Sequence, residues 1–303
     1  MQVTILGITG GIGRAVADVF LERGIPVVAL VRDPSKVPAQ AGLTLVEGDA
    51  TDPAALRRAI EGSEVVLHGL NLPYDQWDPG MIELTRRVLD AVEQTDATLL
   101  FPGNLYGLGP DFSAPLTETS SHQPISRKGA LRNQLEAMLE GSPSQTLILR
   151  MGDFFGGGKE STWMHHLTQK TRTGGAIQYP GALDIPHAWA YLPDAAEVFV
   201  ELALRREELG KHSVFHFAGH TIDGQTWVES VRSGLGDLGR RQVSFPWFWM
   251  RFASPFVPFI RELFETRYLW DQPVRMDDSR LRAFLGKLPH TPLDVAVKHS
   301  LSL

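Results

Sequence analysis

The chain has 303 residues, enough at about 150 per domain for two domains or one large one with insertions. A charged fraction of 21% beside an apolar fraction of 43% is an ordinary globular mixture, which excludes disorder, coiled coil and collagen as the main architecture. The net charge is −6 with no long basic run, against sequence-independent binding to nucleic acid, and the lack of cysteine excludes disulfides, thiolate catalysis, zinc–cysteine sites and iron–sulfur clusters.

The first half alternates strand and helix. Short apolar runs at Val3–Leu6, Val27–Val31, Leu43–Val46, Glu64–His68, Thr98–Phe101 and Thr146–Leu149 are bounded by Gly, Pro, Asp or Asn. Helical patterns fill the gaps at Ile12–Arg23, Pro53–Ile60, Met81–Gln94 and Ile125–Leu139. Short buried strands alternating with helices predict an α/β fold, a doubly wound parallel sheet covered on both faces. After Arg150 the rhythm breaks. A flexible Gly156-Gly157-Gly158 stretch precedes a helix over Ser161–Thr171, which carries His165 and His166 on different sides. Pro193-Asp194 opens an apolar helix to about Arg205 with Asp194 as its cap, and Val214–Phe217 reads as one more strand. From Ile222 the pattern is helical and aromatic-rich, with Thr291-Pro292 starting a final helix. Residues 1–150, with 186–219 returning to them, are expected to form the sheet domain; 151–185 and 220–303 form a smaller, mostly helical C-terminal domain. The first strand begins at about Gln2, leaving no room for a charged leader and apolar core, and no run of about 18 uncharged apolar residues exists. Both features and the missing cysteines predict a cytoplasmic protein with no membrane span.

Gly7-Ile8-Thr9-Gly10-Gly11-Ile12-Gly13 follows the first strand and opens the first helix. Gly7 and Gly10 allow a turn whose backbone approaches a pyrophosphate, the helix N-terminus offers free N–H groups, and Gly13 lets helix and strand pack closely. In this strand–turn–helix setting the pattern predicts a Rossmann dinucleotide site. The second strand ends Val31-Arg32-Asp33-Pro34, with Lys36 beyond and Arg14 just after the last glycine. Three cations favour the 2′-phosphate of NADP(H), whereas Asp33 on the ribose hydroxyls would select NAD(H). Asp49, with Ala50, either meets the adenine or caps the helix from Pro53, and Gly69 lies at the carboxyl edge of the sheet where ligands bind.

With Gly48-Asp49, Leu105-Tyr106-Gly107, Pro186-His187 and Tyr191-Leu192-Pro193-Asp194 added to the glycine loop, the chain resembles the extended short-chain dehydrogenase/reductases, the branch of sugar-nucleotide epimerases and dehydratases. The resemblance implies a Rossmann domain, a C-terminal substrate domain and an active site between them. It also implies a Tyr-x-x-x-Lys pair on the helix after the fifth strand, where the tyrosine moves the proton and the lysine lowers its pKa and holds the ribose. That pair is absent. Anchoring the helix on Glu136 puts Lys128 at the tyrosine position and Arg132 at the lysine position, on one helix face. Pro102 falls near the usual serine, with Asn104 two residues on. The pattern is similar to atypical members that keep the nucleotide fold and lose the tyrosine.

Candidate chemistry is therefore assigned to Lys128 as a general acid or base or as a ribose contact, to Arg132 as an orienting cation, to Asn104 on a substrate oxygen and to Tyr106 at the nicotinamide edge. Each has a plainer reading as a salt bridge, a turn cap or packing. Asp153, Phe154, His187 and Trp189 are expected to line the substrate cleft or simply to pack. His212 and His216 can share one side of a strand, but no carboxylate completes a ligand set, so no metal is expected. Residues 245–260 hold seven aromatics that can form a domain core, wall an apolar substrate pocket or mediate a homodimer. Membrane contact is disfavoured there, because prolines break the helix and basic residues are sparse. Two functions remain in play: an NADP(H)-dependent oxidoreductase or epimerase-like enzyme taking a small-molecule substrate, and an NADP(H)-binding sensor without turnover.

Overall fold

The computed structural model describes residues 1–109, 111–157, 167 and 175–302. Its centre is a seven-stranded parallel sheet built from β1 (Val3–Leu6), β2 (Val27–Val31), β3 (Leu43–Glu47), β4 (Val65–His68), β5 (Thr98–Gly103), β6 (Thr146–Met151) and β10 (His212–Phe217). The spatial order is β10-β6-β5-β4-β1-β2-β3, so the winding reverses between β1 and β4. The carboxyl ends of the strands open onto a crevice at such a reversal. β1, β4 and β6 are buried along their whole length, as both faces are covered. Helices α1 (Gly11–Glu22) and α5 (Leu192–Leu204) cover one face around Val16, Phe20, Val198 and Phe199. On the other lie α2 (Pro53–Ile60), α3 (Trp77–Val92) and α4 (Arg127–Gly141) around Leu56, Val88, Leu131 and Leu135.

Local signals explain the helix starts. Asp52 accepts from the Ala54 N–H at 2.9 Å with Pro53 in the first turn of α2, and Ser126 accepts from the Gly129 N–H at 3.0 Å to begin α4. Asp194 behaves differently from the cap expected of it. It is 5% exposed inside the first turn of α5 and accepts from the Thr291 N–H (2.8 Å) and hydroxyl (2.7 Å). A cap reaches only its own helix; this carboxylate instead ties α5 to the approach to α10 (Leu293–Ser302).

The second part of the molecule is a smaller assembly. A three-stranded sheet, β11-β9-β7, comprises β7 (Asp153–Phe155), β9 (Pro186–Tyr191) and β11 (His220–Asp223), and β8 (Ile177–Tyr179) pairs in parallel with β12 (Gln242–Ser244). Helices α6 (Gly224–Leu235) and α10 close over a core of Phe155, Tyr179, Trp227 and Trp270. Helix α9 (Ser279–Leu285) packs instead on β10, with Leu281 in the core of the large sheet. The helix expected over Ser161–Thr171 lies outside the described residues.

Candidate active site

The glycine loop is fixed by close backbone packing. Gly7 has φ +98°, and a Cβ there would lie 2.5 Å from the Gly69 carbonyl oxygen. A Cβ on Gly13 would lie 2.2 Å from the Gly7 carbonyl oxygen, whereas one on Gly10 would meet that atom at a tolerable 3.4 Å. Gly7 and Gly13 are thus required by space. They let the first turn of α1 press against the end of β1 and present its N–H groups to the groove.

The groove beyond, a cavity of about 870 Å³, is walled by Gly7, Thr9 and Gly10, by Arg32, Asp33 and Lys36 after β2, and by Asp49, Ala50 and Thr51 after β3. The Asp33 carboxylate accepts from the Ser35 hydroxyl (2.6 Å) and N–H (3.1 Å), which hold it below the ordinary carboxylate range. Lys36 Nζ stands 3.9 Å from it. Arg32 is exposed and has no ion-pair partner among the described residues. Asp49 accepts from the Thr51 N–H (2.8 Å) and hydroxyl (2.7 Å), so its turn is self-contained; the α2 cap is Asp52. Arg14 does not line this groove. Its guanidinium is held by Asp18 (2.9 and 2.6 Å) and by the Gln40 side chain (2.6 Å).

A second cavity of about 230 Å³ continues the groove, sharing Gly10, Gly69, Leu70 and Asn71 with it and adding Gly11 and Ile12. Its walls are largely apolar: Trp77, Phe101, Met151, Phe154 and Leu269. Among the expected residues, Asn104, Tyr106, Arg132, Asp153 and His187 also line it. Asn104 Oδ1 accepts from the Tyr106 N–H at 3.1 Å, and the Arg132 guanidinium carbon lies 4.8 Å from the Trp77 ring centre and 5.6 Å from that of Phe101. His187 Nε2 donates to Asp153 Oδ2 at 2.8 Å, and its ring stacks on Trp270 at 4.0 Å. His187 is 3% exposed, and its Nδ1 has no hydrogen-bond partner among the described residues.

His68 is a cleft residue to which the motifs assigned no role. It ends β4 and meets Thr85 Oγ1 through Nε2 at 3.0 Å. Burial, with the Arg132 charge beside it, pushes its pKa down to about 3, so the ring stays neutral. Its place just before Gly69, at the carboxyl end of a central strand, was the available signal.

Lys128 and Trp189 take their plainer readings, and the segment 245–260 is more than a core. Lys128 is not in the cleft wall. Its side chain is 3% exposed, and its ammonium pairs with Glu262 and lies 3.9 Å from Glu265. Glu262 belongs to α8 (Pro258–Phe264), which follows α7 (Trp247–Ala253). Burial opposes the charge on Glu262, but the hydrogen bond and charge of Lys128 and the Arg127 guanidinium prevail and hold it below the usual range. A buried ammonium must be paired, and the partner lies 134 residues away. Trp189 also misses the cleft: it is fully buried and stacked on Trp227 at 3.9 Å, inside the small-domain core. The segment 245–260 is not simply a core. Trp247 is 9% exposed and donates its Nε1–H to the Pro180 carbonyl at 2.7 Å, while Phe248, Trp249, Phe252 and Phe256 are 63–84% exposed.

His212 and His216 each have structural partners. His212 Nδ1 meets Thr146 Oγ1 at 2.7 Å, and His216 Nδ1 donates to the Leu116 carbonyl at 3.1 Å. Among the described residues no group of three His, Asp or Glu side chains gathers to hold a metal ion.

A glycine cradle at the switch point, a groove with cations at its far end and an adjoining apolar cleft define a dinucleotide-binding α/β protein. The chain belongs to the NAD(P)H-binding family, whose model matches residues 7–178. It is 29% identical over 150 residues to the probable pinoresinol-lariciresinol reductase 3 of Arabidopsis thaliana, a match covering 47% of this chain and 44% of the relative. It is 30% identical over 122 residues to the isoflavone reductase homolog IRL of Zea mays, covering 36% and 37%. The chain thus matches less than half the length of either relative. Among solved structures, the Bordetella bronchiseptica enzyme WbmH in complex with NAD⁺ superposes with a TM-score of 0.77 at 20% identity, covering 99% of this chain and 97% of that one. The UDP-glucose 4-epimerase of Thermotoga maritima with UDP-glucose superposes at 0.78 with 16% identity, covering 100% and 98%. The fold is therefore that of the Rossmann epimerases, as the sequence resemblance implied.

Proposed function

We propose that the chain is an NADP(H)-dependent oxidoreductase or epimerase-like enzyme, acting on a small molecule less polar than a nucleotide sugar. The observation that carries this reading is continuity. One groove runs from Arg32 and Lys36, past the glycine loop, to the Asp153–His187 pair, and the two cavities share four wall residues. The residues fit a dinucleotide: glycines where a Cβ would collide, helix N–H groups for a pyrophosphate, and Asp33 and Asp49 at the ends of β2 and β3. Arg32, without an ion-pair partner, and Lys36 support a 2′-phosphate over a bare ribose, since Asp33 is already engaged by Ser35. Arg14 joins them only by leaving Asp18.

When bound, the nicotinamide supplies or accepts a hydride. The chain must then supply the proton and exclude water. Lys128 is engaged elsewhere, so the proton falls to His187. Its Nε2–H is fixed on Asp153, which sets the tautomer and leaves the Nδ1 lone pair to take the substrate proton in the oxidising direction and, once protonated, to return it in the reducing one. Asn104 and Arg132 orient a substrate oxygen, and Trp77, Phe101 and Phe154 displace water.

One observation favours the second reading, a nucleotide-binding sensor without turnover: the position matching the family tyrosine is locked in an ion pair with Glu262. Titration with NADPH and NADH, followed by energy transfer from the tryptophans, and then a panel of apolar aldehydes, ketones and quinones, separates the two. The enzyme reading expects NADPH preference, turnover of at least one carbonyl, and a fall of about 100-fold or more in that turnover for His187→Gln at unchanged NADPH affinity. NADPH binding with no turnover across the panel supports the sensor, and binding of neither nucleotide overturns both.

A further inference from the structure

The segment from Trp247 to Phe264 folds as two seven-residue helices, α7 and α8. Trp247 anchors it inward: its ring packs on Phe264 at 5.3 Å, and the Arg267 guanidinium lies 5.4 Å from the ring centre. The next residues turn outward. Phe248 is 66% exposed, Trp249 72%, Phe252 63% and Phe256 84%, with Val257 at 39%. Among the described residues, every large aromatic that stands exposed lies in this stretch. Phe248 meets Trp249 and Phe252 edge-on at 5.3 and 5.5 Å, so these three rings form one patch, with Phe256 exposed four residues further along the chain. A contiguous exposed aromatic patch marks an interaction surface.

Charge identifies the occupant. Arg251 is exposed on the same helix, flanking the patch, and has no carboxylate partner among the described residues. The carboxylates of this stretch, Glu262 and Glu265, are already engaged by Lys128 and Arg127. The patch is therefore locally positive on a chain whose net charge is −6. A two-fold pairing of this face with a second copy would set Arg251 near its own counterpart with no free carboxylate to answer it. An anionic lipid surface answers both features, because Trp and Phe settle at the headgroup level and arginine finds lipid phosphate there. We propose that the face formed by Phe248, Trp249, Arg251, Phe252 and Phe256 docks on an anionic bilayer. The prolines, which weighed against such contact in the sequence, break one long helix into two short ones. No helix among the described residues is long and apolar enough to cross a membrane, so the contact is interfacial. Helix α8 packs on Tyr74–Gln76, beside the groove, and docking therefore brings the cleft close to the bilayer.

The test is cosedimentation of the full chain with vesicles of phosphatidylcholine alone and of phosphatidylcholine with about a third phosphatidylglycerol, the anionic fraction the electrostatic argument requires. Quenching of tryptophan emission by brominated lipid is the second readout. Wild type is expected to bind the anionic vesicles about 10-fold or more tightly than the neutral ones, with a loss on raising salt. A triple variant, W249Q with F252Q and F256Q, is expected to lose about 30-fold or more and to keep the wild-type thermal melt, because all three side chains are exposed. Arg251→Glu is expected to abolish the preference for anionic vesicles. Wild type that fails to bind the anionic vesicles overturns the proposal. So does a correctly melting triple variant that binds like wild type, or a wild-type dimer that this variant dissociates while vesicle binding is unchanged.

Discussion

The two halves of the cleft are built in different ways. The half proposed for adenosine rests on close backbone packing: Gly7 and Gly13 leave no room for a Cβ, and residues at the ends of β2 and β3 complete the wall. The half proposed for substrate is made of side chains gathered from α3, β5, α4, β7 and β9, and it depends on which of them the rest of the protein has already engaged. Lys128 and Arg132 show the contrast. They lie one turn apart on α4, yet Arg132 lines the cleft and Lys128 is held by Glu262. A site made of backbone is specified within a few residues. One made of side chains is specified only after the chain has folded.

The largest effect is expected where backbone meets backbone. Gly13→Ala sets a methyl 2.2 Å from the Gly7 carbonyl oxygen, an overlap that no side-chain rotation relieves. Stability should fall by about 4 kcal/mol or more, the range of severe steric substitutions, and NADPH binding should be lost with it. Gly10→Ala, whose Cβ meets the same oxygen at 3.4 Å, is the control and should fold. Thermal melts and NADPH titrations of the pair check this; equal behaviour of the two variants would break the claim that packing at Gly13 fixes this half.

Next comes Lys128→Met. It leaves Glu262, 6% exposed, without its ammonium, and removing one member of a buried pair costs about 3 kcal/mol or more. Joining it to Glu262→Leu should recover much of that loss, since the buried carboxylate, then held only from the rim by Arg127, goes too. Urea unfolding of the single and double variants measures the difference. A double variant no more stable than the single would mean that Lys128 is held by something other than this pair.

These cases show what the sequence could reveal. The strands of the parallel sheet, the glycine loop and the Arg32–Asp33 end of β2 were all legible, because each rests on local periodicity or on one turn. Arg132 was placed at the site by anchoring its helix on Glu136 against the family pattern, and it lines the cleft. The fate of Lys128 was not legible, because its partner is 134 residues distant and carries no motif. Trp189 was left between two readings for a related reason: an aromatic on a strand near a cleft faces either the cleft or the core, and only the stack on Trp227 decides. His187 and Asp153 were each noticed singly, but β9 and β7 must pair before the two side chains meet.

A smaller effect sharpens the far end of the adenosine half. Arg32→Ala removes an exposed guanidinium from the groove wall, while Lys36 remains. The preference for NADPH over NADH should fall about 10-fold, or about 1.4 kcal/mol, with NADH affinity little changed. Parallel titrations with both nucleotides read this directly. An equal loss for both would assign Arg32 to the shared part of the cofactor instead of the 2′-phosphate.

The smallest effect concerns the substrate half and appears as a slope with pH. His68 titrates near 6.5 when unfolded and at about 3 when folded, because burial and the Arg132 charge disfavour its imidazolium. Below pH 6.5 the unfolded chain therefore binds a proton that the folded chain refuses. The contribution of neutral His68 to stability is complete above the unfolded value and declines steadily as pH falls towards the folded one. Between pH 7.5 and 6.0 it should lose about 0.8 kcal/mol. His68→Asn keeps a polar group for Thr85 but cannot titrate, so the variant should show a shallower decline over that interval. His216, whose pKa burial and Arg150 push to about 4, adds a parallel slope that is the same in both proteins and cancels in the difference. Urea midpoints of wild type and His68→Asn across that interval isolate the His68 share. Parallel slopes would show that His68 is solvated in solution, and that the floor of the substrate half is wetter than its apolar walls imply.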